Sequence, residues 1–298
     1  MSGVLPDQSI QQMINSATIT AQPPILSEQI QPASLDLRLG NTAWRVRASF
    51  LSGDERKLTD RLKNFEMHEI DLRQGAVLEK GCVYVLPLME SLDLPENIQA
   101  VANAKSSTGR LDLLTRVITD NGTEFDRIRP GYKGPLYAEI CPRSFSVLVR
   151  PGMRLNQIRF RQGQAILNDS ELSDLHASDR LVSGEAVISD GLGFSVDLKP
   201  ANGTLVGYRA KPHTGVIDLD RIGAYEPAEF WEEVHSSDGQ IILDPGAFYI
   251  LVSREAVHIP PAYAAAAKEA PGADAKTLAQ DQAQFDHALG PQAAVHQQ

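Results

Sequence analysis

Apolar positions along this chain recur mostly at a period of two, in short runs broken by Gly, Pro, Asn and Asp. QPASLDLRLG, GAVLEKGCVYVLPLM, GPLYAEICP, SFSVLVRPGMRLNQIRF and FSVDL each read as one or two strands rich in Val, Leu and Ile. In SFSVLVRPGMRLNQIRF, Pro151 and Gly152 fit the centre of a tight turn, proline fixing φ and glycine accepting a positive φ. One helix is predicted near the start, over 7–19 (DQSIQQMINSATI), with Asp7 as its cap and Ile10, Met13 and Ile14 on one side. Many short strands with frequent turn signals predict a mainly β fold, a sandwich or distorted barrel with few helices.

A second helix is predicted where the pattern changes, at AKSSTGRLDLLTRV (104–117). Ser106 or Ser107 caps the first turn, and Leu111, Leu114 and Val117 recur at helical spacing. The same stretch also supports an anion site, because Lys105, Arg110 and two hydroxyls converge where N–H groups of a helix start are free. Either reading satisfies the sequence, and the two are compatible.

Composition narrows the partners. The 298 residues allow two ordinary domains, and an apolar share of 42% is that of a globular protein with a real core. The start, MSGVLPDQSIQQ, lacks the basic and apolar regions of a signal peptide, and no apolar run reaches the eighteen or so residues of a membrane span. The expectation is a cytoplasmic protein without a membrane partner. Cys82 and Cys141 lie far apart with no CxxC spacing, so both read as small buried hydrophobes. A net charge of −10 speaks against a nucleic-acid binder, yet its distribution is uneven. Between Lys105 and Arg161 there are eleven Lys or Arg against five Asp or Glu. A basic segment inside an acidic chain suits a pocket for a small polyanion, and a nucleoside triphosphate is the obvious candidate.

The chain also repeats itself. VLEKGCVYVLPLMESLDLPENIQA (77–100) lies on ILDPGAFYILVSREAVHIPPAYAA (242–265) without a gap, and SLDLR (34–38) matches SVDLK (195–199) at nearly the same offset. This predicts a duplicated β module: residues 1–165 as the first copy, 166–189 as a linker, 190–265 as a partial second copy. Residues 266–298, rich in Ala, Gln and Asp, read as a low-complexity, disordered tail. Nothing there resembles AKSSTGR or GPLYAEI.

The remaining chemistry centres on DRIRPGYKGPLYAEICP. Pro130 to Gly134 form a turn, and Leu136 to Ile140 alternate as a strand on which Glu139 sits among apolar neighbours. A carboxylate facing the interior there suits general acid or base work; facing outward, it is an ordinary strand glutamate.

The order PASLDLRLG, then SS-x-G-R-L, then PG-aromatic-x-G with a strand ending in Glu, then RPGM, resembles the deoxycytidine triphosphate deaminases of the trimeric dUTPase-like superfamily, over about residues 7–161. The duplication is similar to a longer, tandem-module branch, with the second module truncated. The resemblance implies a dUTPase-like distorted β-barrel, or jelly roll, and hydrolytic deamination of dCTP to dUTP and ammonia, supplying dUTP for dTMP synthesis. It implies that Glu139 takes a proton from water, directs it at C4 of cytosine, and passes protons to N3 and the departing ammonia. Arg110 falls on the arginine that holds the site together and compensates charge. Ser106 and Ser107 fall on the hydroxyls that contact phosphate and the attacking water. Lys105 stands where the short deaminases carry arginine, which keeps the charge and loses a bidentate fork. Tyr137 and Ala138 lie on the strand whose backbone lines the deoxynucleotide. The implied catalytic set is Glu139, Arg110 and Ser107; Lys105, Ser106, Thr108, Gly109, Thr119, Asp126, Arg129, Tyr137 and Ala138 complete the substrate-binding set.

One departure stands out. The family carries Asp before the Pro-Gly turn to hold the deoxyribose 3′-hydroxyl, whereas this chain has Arg129, with Asp120 and Asp126 in the longer preceding loop as replacements. The resemblance further implies Mg2+ only as the counterion of the triphosphate, no cofactor or metal for the chemistry, dTTP as an inhibitor in some relatives, and a homo-oligomer, a trimer or a tandem-module analogue of one. A zinc deaminase is disfavoured because His-x-Glu and Pro-Cys-x-x-Cys are both missing. A dUTP diphosphatase, a bifunctional deaminase and diphosphatase, and a non-catalytic nucleotide-binding relative are the other readings.

Overall fold

The computed structural model describes residues 3–163 and 166–265; the low-complexity tail lies outside the described residues. The chain divides into two compact units, Met1–Ala165 with Gly215–Gly223, and Ile166–Thr214 with Ala224–Gln298. The first unit opens with β1 (Gly3–Val4), α1 (Asp7–Asn15), β2 (Ile19–Ala21), β3 (Ile30–Gln31), β4 (Ser34–Arg38) and β5 (Thr42–Val46). After α2 (Leu58–Leu62) come β6 (Glu66–Asp71), β7 (Ala76–Leu78), β8 (Val83–Asp93) and β9 (Ile98–Ala104). A single turn, α3 (Ser106–Gly109), precedes β10 (Leu113–Thr119), β11 (Arg127–Ile128), β12 (Lys133–Pro142), β13 (Val147–Val149) and β14 (Arg154–Gln162). The second unit holds α4 (Asp169–Asp179), β15 (Val187–Ile188), β16 (Leu192–Gly193), β17 (Leu205–Ala210), α5 (Pro227–Phe230), β19 (Trp231–His235) and β20 (Tyr249–Leu251). Strand β18 (Ile217–Asp218), late in sequence, belongs to the first unit.

Two sheets form the body of the first unit. One runs β11-β9-β14-β4-β3 with β1 on β14, and the other runs β10-β12-β8-β5-β6 with β2 on β8. Leu35, Leu37, Ile158 and Phe160 of the first sheet and Leu86, Val117, Ala138 and Ile140 of the second are buried. A polar pin crosses between the sheets, Thr115 Oγ1 donating to Asn156 Oδ1 at 2.6 Å. A smaller core gathers Phe50, Leu58 and Leu62 of the covering segment 47–65 on Val46, Val85, Ile118 and Tyr137 of the second sheet, with Phe50 and Phe65 stacked at 4.4 Å. The remaining strand β13 pairs antiparallel with β7 and parallel with β18.

The predicted turn at Pro151 and Gly152 joins β13 to β14, with Gly152 at φ +83°. The first helix is shorter than expected, ending at Asn15, and Pro6 rather than Asp7 occupies its cap position. The second predicted helix is corrected more sharply: it lasts one turn, Lys105 stands at its cap position, and no side-chain cap bond forms. Leu114 and Val117 lie in a strand, because Asp112 turns the chain at φ +50° and Thr115, Val117, Ile118 and Thr119 are β-branched residues suited to a pleated surface. Both cysteines are free and half-buried.

Within the segment read as a linker, Asn168 and Glu171 close a capping box at the start of α4. The second unit then repeats a part of the first. Tyr84 accepts the N–H of Glu79 at 3.0 Å, and Tyr249 accepts the N–H of Asp244 at 3.0 Å. Between each pair the chain turns through a glycine at positive φ, Gly81 and Gly246. Arg45 faces Tyr84 across one ladder and Arg209 faces Tyr249 across the other. Glu90 accepts the N–H of Arg38, and Glu255 accepts the N–H of Ser195, both at 2.8 Å. That last pair corrects the register of the shorter match: Ser195 answers to Arg38, not to Ser34, four residues away.

Candidate active site

Glu139 sits in the middle of β12, on the face that meets the smaller core, with its side chain 2% exposed. Across the ladder it faces Arg116 of β10, whose Nη2 donates to Glu139 Oε1 at 2.5 Å. Glu139 Oε2 is buried and has no hydrogen-bond partner among the described residues. The guanidinium of Arg116 lies 3.6 Å from the ring centroid of Phe125, and its Nη2 also donates to Ser49 Oγ at 3.1 Å. A buried carboxylate needs such a partner: removing one member of a buried ion pair costs about 3–5 kcal/mol.

Asp126 adjoins this pair. Its backbone is left-handed at φ +62°, its Oδ1 accepts the N–H of Val117 at 2.7 Å, and its carbonyl accepts the N–H of Ala102 at 2.8 Å. Burial pushes its carboxyl up to about 7, against the pull of the Val117 N–H and of Arg116 and helped by the charge of Glu139. Asp120, the other acid of the long loop, accepts the N–H of Leu58 at 2.7 Å and so anchors the start of α2. Tyr137 is buried in the smaller core, where burial raises its hydroxyl to about 12, and Ala138 is fully buried on the opposite face of β12.

The Ser-Ser cluster stands elsewhere in the unit, at the crossover from β9 to β10. Lys105 makes an ion pair with Asp36, which is 1% exposed and whose Oδ1 is left without a partner. Thr108 is buried and donates its hydroxyl to the Leu155 carbonyl at 3.0 Å. Ser106 is half-buried, Ser107 is exposed, and a side chain at Gly109 would meet open space. Among the described residues, no hydrogen bond or ion pair joins the side chains of Lys105 to Arg110 with Glu139; the cation on Glu139 is Arg116, not Arg110. Arg129 points outward, to Thr123 Oγ1 at 2.8 Å and Asp54 at 3.2 Å. Thr119 is buried and its carbonyl accepts the hydroxyl of Ser52.

One chain therefore brings Glu139, Asp126 and Tyr137 together, and among the described residues no hydrogen bond or ion pair ties the Lys105–Arg110 side chains to Glu139. Arg116, Phe125, Ser49 and Asp36 are the residues that sequence reasoning missed. A single charge inside the apolar strand LLTRVIT was the available signal for Arg116. Among the described residues, no three His, Cys, Asp or Glu converge as a metal site, and no helix is long and apolar enough to cross a membrane.

Comparison with known proteins bears on this geometry. A solved structure described as 2'-deoxycytidine 5'-triphosphate deaminase from Agrobacterium tumefaciens is similar at a TM-score of 0.83 and 51% identity, covering 87% of this chain and 78% of that one. A protein named dCTP deaminase from Shewanella amazonensis is 29% identical over 167 residues, 53% of this chain and 82% of the relative. Another of that name, from Pectobacterium atrosepticum, is 31% identical over 150 residues, 48% of this chain and 74% of the relative. Residues 1–164 match the family model of the 2'-deoxycytidine 5'-triphosphate deaminase N-terminal domain. Residues 168–288 match the model of its C-terminal domain, which reaches past Ala265 into the stretch that reads as a tail. With both domain models matched in order along one chain, this protein belongs to the 2'-deoxycytidine 5'-triphosphate deaminase family.

Proposed function

We propose that this protein hydrolyses dCTP to dUTP and ammonia, with Glu139 as the group that moves the protons. The observation that carries the reading is a glutamate 2% exposed, fixed at Oε1 by Arg116 and open at Oε2. In the proposed reaction Oε2 takes a proton from water, and the water oxygen attacks C4 of the cytosine. The carboxyl returns that proton to N3, then carries the second water proton to the amino group, which leaves as ammonia. The C4–N bond breaks and a C4–O bond replaces it. No cofactor enters these steps, and Mg2+ arrives as the counterion of the triphosphate.

Lys105, Ser106, Ser107 and Arg110 are proposed to contact the triphosphate, supported by their clustering in a basic stretch of an acidic chain. Since no hydrogen bond or ion pair joins their side chains to Glu139 among the described residues, a homo-oligomer, a trimer in this reading, is proposed to complete each site with a second copy's cluster. Glu139→Gln, an isostere that cannot take the proton but keeps an acceptor for Arg116, is expected to lower kcat about 1000-fold when assayed below its own melting transition. Ammonia release at the wild-type rate from that variant would remove Glu139 from the reaction. Resolving dUTP from dUMP in the same assay separates deamination alone from deamination followed by loss of pyrophosphate.

A further inference from the structure

Glu139 has a carboxylate whose aim matters, since only one of its oxygens is free. We propose that Arg116 is the positioning residue that sets this aim; the inference rests on the reading of Glu139 as the proton-moving group. The two residues are direct partners across the β10–β12 ladder, in which seven residues of β10 are paired, so their Cα atoms are fixed by the backbone bonds between the two strands. Arg116 Nη2 takes Glu139 Oε1, which stops rotation of the carboxyl group and leaves Oε2 pointing one way. The arginine is itself held on two further sides, its plane on the Phe125 ring and its Nη2 on Ser49 Oγ. A planar cation is what this arrangement needs, because the guanidinium can lie on a ring and still donate in its own plane, which an ammonium cannot do.

The arrangement also divides labour between two arginines. Arg110 stays with the Ser-Ser turn, whereas Arg116 compensates the buried carboxylate from within the same sheet. Being 29% exposed, Arg116 is open to solvent on one side, and a small cation can enter the space left when its side chain is removed.

The test uses the full chain and steady-state release of ammonia from dCTP. Arg116→Ala is expected to lower kcat about 100-fold, the scale on which a small misplacement of a reacting group acts, while KM changes by less than about threefold. Guanidinium ion at low millimolar concentration is expected to restore kcat at least about tenfold in Arg116→Ala and to do nothing for Glu139→Gln, because only the first lacks a cation that the ion can replace. Arg116→Lys is expected to recover less than guanidinium does. Should Arg116→Ala fail to fold, Phe125→Leu, which removes the ring under the cation, is expected to lower kcat about tenfold at unchanged KM. A folded Arg116→Ala with wild-type kcat, a loss confined to KM, a lack of guanidinium rescue, or an unaltered kcat in Phe125→Leu would each overturn the proposal while Glu139→Gln is inactive. Full activity in Glu139→Gln would overturn the underlying reading instead.

Discussion

Strands β6-β5-β8 of the first unit and β19-β17-β20 of the second are two versions of one device. In both, a tyrosine on the last strand holds the N–H five residues behind it, a glycine turns the chain between them, and an arginine on the central strand faces the ring. They part at the far edge. Strand β8 continues into β12, which carries Glu139, and β12 continues into β10, which carries Arg116. Among the described residues, β20 ends its sheet. Among the described residues, the second unit repeats the part that fixes a hairpin, and the pair of strands that carries charge is seen in the first unit alone. Within the first unit, the line between that repeated part and the charged pair runs between β8 and β12.

The comparison can be broken first at its tightest point. Gly207 of β17 stands where β5 has the fully buried Ala43, yet a Cβ on Gly207 would lie 2.2 Å from the Ile250 carbonyl oxygen. Gly207→Ala is therefore expected to cost about 3 kcal/mol, the upper range for overpacking, and calorimetry should show the loss while kcat on dCTP stays at the wild-type value below the transition. An unchanged melting profile would mean that β17 and β20 do not pack as closely as described.

Acids in the two units should respond to pH with opposite sign. Asp126, raised by burial to about 7, holds its proton in the folded chain after the unfolded chain has released it, so its share of stability is present at low pH and lost as pH rises through about 7. Burial alone would raise Glu255 too, but the hydroxyl and N–H of Ser195 bring it below its usual 4.5, so its share is present above 4.5 and lost as pH falls. Melting temperatures at pH 5 and pH 8 should converge in Asp126→Asn, which keeps an acceptor for the Val117 N–H. If they diverge as in the wild type, another group owns the slope.

The mildest comparison is also the most direct. Tyr84→Phe and Tyr249→Phe each delete one hydroxyl that accepts a backbone N–H, and each should cost about 1 kcal/mol in urea unfolding. Unequal losses would show that the second hairpin keeps the shape of the first without its energetics.

Sequence carried the strands and the Pro151–Gly152 turn, because each depends on a period of two or on a turn residue within a few positions, but it left open whether Glu139 faces inward or outward. The duplicated segment was legible for the same reason, down to Gly81 and Gly246. The Ser-Ser helix was misjudged because Leu111, Leu114 and Val117 fit a helical spacing by coincidence, while the β-branched run from Thr115 to Thr119 spoke for a strand. Helix α4 was missed although Asn168 and Glu171 spell its capping box, since its apolar side is weak and no periodicity drew notice. The partner of Glu139 was beyond local reading altogether: that Arg116 faces it is a property of cross-strand register, set by residues 23 positions apart.

The short strand β18 has a consequence for anyone who divides this chain by sequence. Ile217 and Asp218 run beside β13 in the first unit, and Asp218 and Asp220 together grip Arg150 at 2.6 and 2.8 Å. A gene fragment that stops at residue 165 contains every proposed reacting group and still lacks a rim of its own domain. It would expose the edge of β13 as a sticky border and leave Arg150 facing water where two carboxylates belong.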